Sequence, residues 1–411
     1  MTGRISYLCK LALNSLSASF WIKIHPRYQY KVIIWLSRTT NVVVPTPPDE
    51  DDLVENRYKY EQLPDKQHVR LLELHPGYGV EPLCGTIRTV PLDSVQGSYD
   101  ALSYTWGNTR RSGSALINLG DGQNIRLTPS LSEALRQLRR WRKRRILWVD
   151  AICMNQWDGD EMSERIPLML EVYTKCKSVL LWLGLATSHS ELGMDILWFL
   201  AHTRTRVDKD STPWNRENPA KVEAALKDIF DRPGFTRFLV VLEAAIAPRV
   251  VMRVGRFSVP WSKGAGAKRF LDRIKLMEMS PSWHRTSMAK NADFAPVCEL
   301  LEFSLMVEAR RTGIFKNPSF LDTVHLYRHR KATDQRDHFY ALRGLFLPEE
   351  IAGFEPDYKI SLEETFRRFY NLIERTVLKE PKATPEHTKK AGGLSFGRLR
   401  DKVLTLGCGH D

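Results

Sequence analysis

The sequence predicts an α/β fold, in which a parallel β-sheet is flanked by helices and a mainly helical portion follows. Three short apolar runs have the length and composition of buried strands: YDALSYTW (99–106), ILWVD (146–150) and SVLLWLG (178–184). Segments with helical apolar spacing lie between these runs, and the connections are short. Strands that alternate with helices in this way usually form a parallel sheet covered on both faces.

A β-hairpin is predicted between the first two runs. In residues 115–127, two alternating segments flank Gly120-Asp121-Gly122, a combination typical of a tight turn between antiparallel strands. Ser130 and Glu133 then have the spacing of a capping box, which predicts that a helix begins there.

Other elements are predicted from shorter patterns. Partial alternation indicates strands at His68–Leu74 and Gly85–Leu92, and RVVMRVG (249–255) is a further candidate strand. A second helix is expected around Arg165–Cys176 after a polar loop, with Pro167 close to its first turn.

The predicted organisation has three parts. Residues 1–65 form a basic leader and a proline-rich acidic linker without stable structure, and residues 66–255 form the α/β domain. Residues 256–411 form a helical C-terminal region, of which the last ~30 residues are irregular.

The leader has an unusual charge pattern, with no acidic residue before Asp49 and six basic ones: Arg4, Lys10, Lys23, Arg27, Lys31 and Arg38. This composition resembles a mitochondrial transit peptide. The alternative is a leader that is disordered or is not part of the natural protein.

Composition excludes several classes of protein. The 61 Lys and Arg exceed the 48 Asp and Glu by 13, but the excess is spread along most of the chain, which favours solvated basic faces. No zinc-finger spacing or RNA-binding aromatic motif is present, so we expect no nucleic-acid partner. No run of eighteen uncharged apolar residues occurs, so we expect no membrane span.

The six cysteines contain no C-x-x-C pair, which argues against a structural zinc site and against a disulfide framework. We therefore expect no metal and a reducing, cytoplasmic compartment.

Several segments in a fixed order resemble the fungal heterokaryon incompatibility (HET) family. They are YDALSYTWGN (99–108), ILWVDAICMNQ (146–156), SVLLWLG, RPGFTRF (232–238) with Glu243, TDQRDHFYALRGL (333–345) and PDY (356–358). The resemblance covers roughly residues 66–370. It implies a fungal protein of non-self recognition, programmed cell death and innate immunity.

HET domains also resemble Toll/interleukin-1 receptor (TIR) domains, which have a flavodoxin-like sheet and in some cases cleave NAD. This resemblance implies that Glu243 is the catalytic residue, with NAD as substrate and without any cofactor. A carboxylate could stabilise the oxocarbenium-like transition state, because nicotinamide is already a cationic leaving group. The alternative is that Glu243 is a helix residue paired with a neighbouring arginine.

This chain departs from the family pattern around Glu243. Gly234 stands where the family usually has Trp, and Leu239–Glu243 reads LVVLE where the family usually has Trp-x-x-Gln-Glu. Two aromatic rings and an amide are lost beside the candidate catalytic acid.

Candidate ligand-binding residues lie at the expected carboxyl ends of two strands, where ligands of parallel sheets gather. The first group follows the first apolar run, and it comprises Tyr104, Trp106, Gly107 and Asn108. The second group follows the next run, and it comprises Asp150, Asn155 and Gln156. The alternative for the second group is that Asp150 caps the loop and the two amides close a turn.

Two classes of function follow. As an NAD(P) glycohydrolase, the domain would have a cleft that converges on Glu243, Trp106 and Asp150. As a non-enzymatic signalling module or a degenerate HET homologue, it would self-associate or bind protein partners through an apolar surface patch.

Overall fold

The computed structural model describes most of the region predicted to be folded. The described residues are 56–106, 115–202, 213–261, 265–279, 281–284, 298, 301–305, 307, 330, 332, 334–340, 343 and 351–379. Every structural statement below refers to these residues.

One nine-stranded sheet organises the domain, with strand order β5-β4-β2-β1-β6-β3-β7-β8-β9. The strands are β1 (His68–Leu74), β2 (Leu83–Pro91), β3 (Asp100–Tyr104), β4 (Leu116–Asn118), β5 (Asn124–Arg126), β6 (Arg145–Trp148), β7 (Ser178–Trp182), β8 (Val250–Val254) and β9 (Phe257–Trp261). The four central neighbours β6, β3, β7 and β8 are parallel, and both ends of the sheet include antiparallel pairs. The predicted α/β class with a parallel core is confirmed.

The parallel strands have a doubly wound order. Numbered along the chain, they lie as second, first, third and fourth, which is how a flavodoxin-like sheet begins. The chain therefore reverses its direction of winding between β3 and β7. Ligands of such sheets bind outside the carboxyl ends of the strands at this switch point.

Helices accompany the sheet along the chain. They are α1 (Pro129–Leu138), α2 (Asp150–Cys153), α3 (Gly159–Lys175), α4 (Ser190–His202), α5 (Pro213–Arg216), α6 (Pro219–Phe230), α7 (Phe238–Ile246), α8 (Ala265–Glu278), α9 (Pro281–His284), α10 (Asp337–Tyr340) and α11 (Leu362–Lys379). Single 3-10 turns occur at Leu92–Val95 and Pro233–Thr236. After β9, all described elements are helical, as predicted for the C-terminal portion.

The central strands are apolar because both of their faces are covered. All five residues of β3 and all five of β7 are buried, so these strands have nearly continuous apolar sequences instead of alternating ones. Helix α7 contacts β3, β7 and α3, and its sequence FLVVLEAAI is apolar except for Glu243. A helix that is apolar on every side is a buried helix.

The predicted hairpin is confirmed. Strands β4 and β5 pair antiparallel with Ile117 opposite Ile125, and the turn uses positive φ at Gly120 (93°), Asp121 (48°) and Gly122 (73°). The candidate strand at 249–255 is confirmed as β8, whereas β9 beyond it was not predicted.

The predicted start of α1 is wrong by a small margin. Thr128 is the N-cap, with its hydroxyl accepting a hydrogen bond from the Leu131 N–H at 3.3 Å, and Pro129 is the first helical residue. Proline has no N–H and its fixed φ suits the first turn, so the helix begins before the predicted capping box at Ser130 and Glu133.

Helix α3 begins much earlier than predicted. The Asp158 carboxylate accepts hydrogen bonds from the N–H groups of Asp160 (3.0 Å) and Glu161 (3.1 Å), and so starts the helix at Gly159. Pro167 therefore lies inside the helix, where it removes one backbone hydrogen bond, and not in its first turn.

Residues just before β1 pack onto the domain, inside the stretch predicted as leader and linker. The Tyr60 hydroxyl donates to the Ile152 carbonyl at 2.9 Å, and the Arg70 guanidinium donates to the Glu61 carbonyl at 2.6 Å. The part of the predicted leader before Asn56 lies outside the described residues.

A buried ion pair joins β1 to α3. Arg70 is only 2% exposed, and its guanidinium binds both carboxylate oxygens of Glu161, at 2.6 and 3.1 Å. Glu161 also accepts the Asn155 N–H at 3.0 Å, so the pair fixes the loop after α2.

We predict that Glu161→Ala lowers the free energy of unfolding by about 3–5 kcal/mol, because it leaves the buried Arg70 charge without its partner. The matched control on the same helix is Glu171→Ala, which breaks an exposed pair with Lys175 and should change it by less than about 1 kcal/mol. Urea denaturation of both variants measures the difference, and equal losses would contradict this account of the pair.

Candidate functional site

Glu243 lies in the middle of α7 and is 7% exposed. Burial raises the pKa of its carboxyl, and the negative charge of Asp150 raises this pKa further. The positive charge of Arg237 and the nearby hydroxyls of Ser103 and Tyr173 lower it. Glu243 thus lies between the end of β3 and helix α3. Arg237 and the two hydroxyls favour its charged form, whereas burial disfavours that form.

Asp150 is the first residue of α2, just after β6 at the carboxyl edge of the sheet. Its carboxylate accepts hydrogen bonds from the Trp106 indole N–H at 3.1 Å and from the Ala151 N–H at 2.7 Å. Burial raises the pKa of Asp150, whereas Arg237 and these hydrogen bonds lower it. The Tyr104 hydroxyl also faces this carboxyl, and burial raises the pKa of Tyr104 well above its usual range.

Arg237 is the cation that the acids of the site share. It is the N-cap residue of α7, and its guanidinium donates to the carbonyl of Tyr104 at the end of β3. Its charge lowers the pKa of Glu243, Asp150 and Asp337. Arg237 was not among the site residues predicted from the sequence, although it belongs to the RPGFTRF motif.

Asp337 belongs to the same electrostatic cluster, although it lies far along the chain. Its carboxylate accepts a hydrogen bond from the Tyr358 hydroxyl at 2.6 Å. Burial raises the pKa of Asp337 to about 7, and the charge of Asp334 adds to this effect. Tyr358, Arg237 and Arg336 act in the opposite direction.

The region around α10 packs directly on the segment that carries Arg237 and Glu243. The rings of Phe238 and His338 are 4.9 Å apart, and the Arg330 guanidinium donates to the Phe235 carbonyl at 2.6 Å. The His338 ring also lies 2.9 Å from the Arg330 carbonyl. The helical C-terminal region therefore packs against the segment that includes the start of α7.

Two buried hydroxyls in the site have no hydrogen-bond partner in the part of the chain that the structure describes. They are the Ser103 Oγ and the Tyr104 hydroxyl, and both residues are almost fully buried. They face Glu243 and Asp150, respectively, without reaching regular hydrogen-bond geometry. The two acids are the polar neighbours of these hydroxyls, which accounts for polar groups in a buried position.

The structure brings Tyr104, Trp106 and Asp150 close to Glu243. Gly107 and Asn108 lie outside the described residues. The side-chain amides of Asn155 and Gln156 both bond to the backbone of their own loop. The Gln156 side chain donates to the Asp150 carbonyl at 2.9 Å, and the Asn155 side chain accepts a hydrogen bond from the Trp157 N–H at 3.3 Å.

A side chain at Gly234 would displace the side chain of Leu183. A Cβ atom at this position would lie 2.5 Å from the Leu183 Cδ2, just after β7 at the same edge of the sheet. The chain thus fills with Leu183 the space beside residue 234, where the family usually has Trp.

Other chemistry is sparse among the described residues. No group of three or more metal-ligating side chains occurs among them, and none of their helices is long and apolar enough to cross a bilayer. Four described cysteines are free, and burial raises the pKa of Cys153 to about 12, which makes that thiol a poor nucleophile.

Fold and site together define a doubly wound α/β domain with a buried acid cluster at the carboxyl edge of its parallel strands. Residues 99–243 match the family described as heterokaryon incompatibility protein (HET), which is the family that the sequence motifs resemble. The match extends from β3 to Glu243 and includes Asp150 and Arg237, whereas Asp337 lies beyond it.

A curated relative has the same family name. The chain is 35% identical over 184 residues to "Heterokaryon incompatibility protein 6, OR allele" of Neurospora crassa. The aligned part is 42% of this chain and 26% of the relative, so the chain spans about a quarter of that protein. No solved structure gave a significant match to the chain.

We predict that the free energy of unfolding falls between about pH 4 and pH 7, and that Asp337→Asn reduces this fall by on the order of 2 kcal/mol. The folded state keeps the Asp337 proton up to about pH 7, whereas the unfolded state releases it near 3.8, so the folded state loses its advantage as the pH rises through this window. Asp150 and Glu243 contribute in the same direction and remain in the variant.

Urea denaturation at several pH values measures this effect. The control is Asp231→Asn, because Asp231 is an exposed acid whose replacement should leave the pH profile parallel to that of the unmodified chain. An Asp337→Asn profile that is also parallel would show that Asp337 titrates normally.

Proposed function

We propose that the chain acts in fungal heterokaryon incompatibility, where its HET domain triggers cell death. The family match over residues 99–243 supports this proposal, and so does the similarity to an incompatibility protein of Neurospora crassa. Neither observation specifies a chemical activity.

The activity that the site supports best is hydrolysis of the nicotinamide–ribose bond of NAD(P), with Glu243 as the catalytic carboxylate. The observation that carries this proposal is that two acids, Glu243 and Asp150, lie beside the end of β3, next to the switch point of the parallel sheet. Acids whose pKa values are shifted by burial and by specific neighbours are concentrated at functional sites. The TIR-like pattern of the sequence supports the same substrate class.

The surrounding groups fit a ribosyl substrate. We assign the hydroxyls of Ser103 and Tyr104, which lie beside Glu243 and Asp150, to the ribose hydroxyls, and the flat Trp106 ring to a nicotinamide or an adenine. The Trp106 indole N–H is bound to Asp150, which fixes the orientation of the ring.

In the proposed reaction, the bond between the ribose C1′ and the pyridinium nitrogen breaks, and the electron pair leaves with nicotinamide, which becomes neutral. The ionised Glu243 stabilises the positive charge that develops on the ribosyl group. A water molecule then adds to C1′, and its proton passes to a carboxylate such as Asp150 and on to solvent. No oxidant or reductant takes part.

Arg237 has a definite task in this scheme. Burial raises the pKa of Glu243, and the Arg237 guanidinium opposes this effect. Because Glu243 acts in its charged form, activity should increase as the pH rises through its pKa, in contrast to a reaction that needs a protonated general acid.

We predict that purified protein releases nicotinamide from NAD, and that Glu243→Gln reduces the rate at least ~100-fold, because the substitution keeps the shape of the side chain but removes its charge. The control is Glu191→Gln, an exposed acid at the start of α4, which should keep the full rate. Chromatography of free nicotinamide measures both variants.

The same variants test the biological role when the chain is expressed in a filamentous fungus. Death with the unmodified chain and survival with Glu243→Gln is the expected result. Folded protein that releases no nicotinamide would reject the enzymatic proposal. If such a chain still causes death, a non-enzymatic signalling module is the remaining candidate, and the exposed aromatic side chains described next favour it.

A further inference from the structure

The loop between β1 and β2 is held rigidly although it projects into solvent. It forms a turn in which the Glu81 N–H donates to the Tyr78 carbonyl at 3.2 Å, and the Tyr78 N–H donates to the Glu81 carboxylate at 2.9 Å. Gly79 in the middle of this turn has φ of 51°, a conformation that glycine adopts at little cost.

Two arginines from the end of α1 fasten this turn. Arg136 donates to the carbonyls of Gly79 (3.3 Å) and Glu81 (2.8 Å). Arg139 donates to the carbonyls of Gly79 (3.1 Å), Glu81 (3.2 Å) and Pro82 (2.9 Å). Both arginines are therefore occupied with the backbone, and the loop has one well-defined conformation.

A third contact joins the loop to the segment after α1. The Gly77 N–H donates to the Arg140 carbonyl at 3.1 Å, which joins the backbone just before Tyr78 to the backbone just before Trp141. A Cβ atom on Gly77 would lie 2.7 Å from the Arg139 guanidinium, so a larger residue here would displace that side chain.

This arrangement holds three large apolar side chains in water. Tyr78 is 80% exposed, Val80 is 94% exposed and Trp141 is 66% exposed. The Arg142 guanidinium stacks on the Trp141 ring at 3.7 Å from its centroid. Single exposed apolar residues are common, but several of them on two segments that hydrogen bonds join are typical of a binding surface.

The charge around these side chains is positive. Arg140, Arg142 and Lys143 are exposed, and the Glu81 carboxylate already accepts the Tyr78 N–H. Tyr, Trp and Arg are also the residues that contribute most to binding energy in protein interfaces. We call the side chains of Tyr78, Val80, Arg140, Trp141, Arg142 and Lys143 the aromatic–basic surface.

We propose that the aromatic–basic surface binds an acidic segment of a partner protein, in which acidic residues flank an aromatic or aliphatic anchor. Positive charge selects the acidic flanks, and the exposed rings and Val80 take the anchor. The fixed conformation of the loop reduces the entropy lost on binding. A second copy of this chain is a poor occupant, because like positive charges would meet. The proposal does not depend on NAD hydrolysis.

Selection of a random peptide library on the full chain tests this proposal. We expect enriched peptides that combine Asp and Glu with an apolar anchor, and binding that weakens as salt increases. The Tyr78→Ser and Trp141→Ser variants should weaken the binding of such a peptide at least ~10-fold by fluorescence anisotropy. Arg142→Glu should weaken it as well, by charge reversal.

The matched control is Trp157→Ser, because Trp157 is also exposed (41%) and also carries a stacked arginine, Arg57, but lies elsewhere on the chain. It should keep full binding, and unchanged circular dichroism of each variant establishes folding. Enriched peptides that are not acidic, or that bind equally to all variants, overturn the proposal. Vesicles of phosphatidylserine that bind through the same residues, in the absence of peptide binding, overturn it in favour of a membrane surface.

Discussion

The structure depends on one electrostatic constraint, which is that Glu243, Asp150 and Asp337 are withdrawn from water around the guanidinium of Arg237. Moving a carboxylate out of water is costly, and it is tolerated when a cation and hydrogen-bond donors are close by. Arg237 supplies this charge to Glu243, Asp150 and Asp337, and it also binds the backbone at the end of β3. The first parallel strand, the buried helix α7 and the C-terminal helix α10 are thereby fixed relative to one another.

The sequence predicted the centre of the fold well, because buried parallel strands have continuous apolar sequences that few other elements share. It predicted helix starts poorly, because both α1 and α3 begin at capping residues, Thr128 and Asp158, that lie outside the apolar pattern. Glu243, Asp150 and Trp106 were found because they follow strands or match a motif. Arg237 and Asp337 were missed, because their roles arise from contacts across the fold and not from local spacing.

The departures of this chain from the family pattern have a consistent physical explanation. Leu183 occupies the space beside Gly234, and the aliphatic residues of α7 keep the interior filled around Glu243. A well-packed core tolerates such changes when its volume is conserved. The acid itself, its arginine and its neighbouring hydroxyls are all present. The substitutions therefore change the walls of the site more than its charges, which is why the site still supports a chemical proposal.

The position of Asp337 gives the C-terminal region a role beyond packing. Asp337 lies outside the matched HET domain, yet its carboxyl acts on the same guanidinium as Glu243 and Asp150. The positive charge that lowers the pKa of Glu243 and Asp150 therefore also lowers that of a residue beyond the matched segment. Any added negative charge near Arg237 competes with Glu243 for this cation.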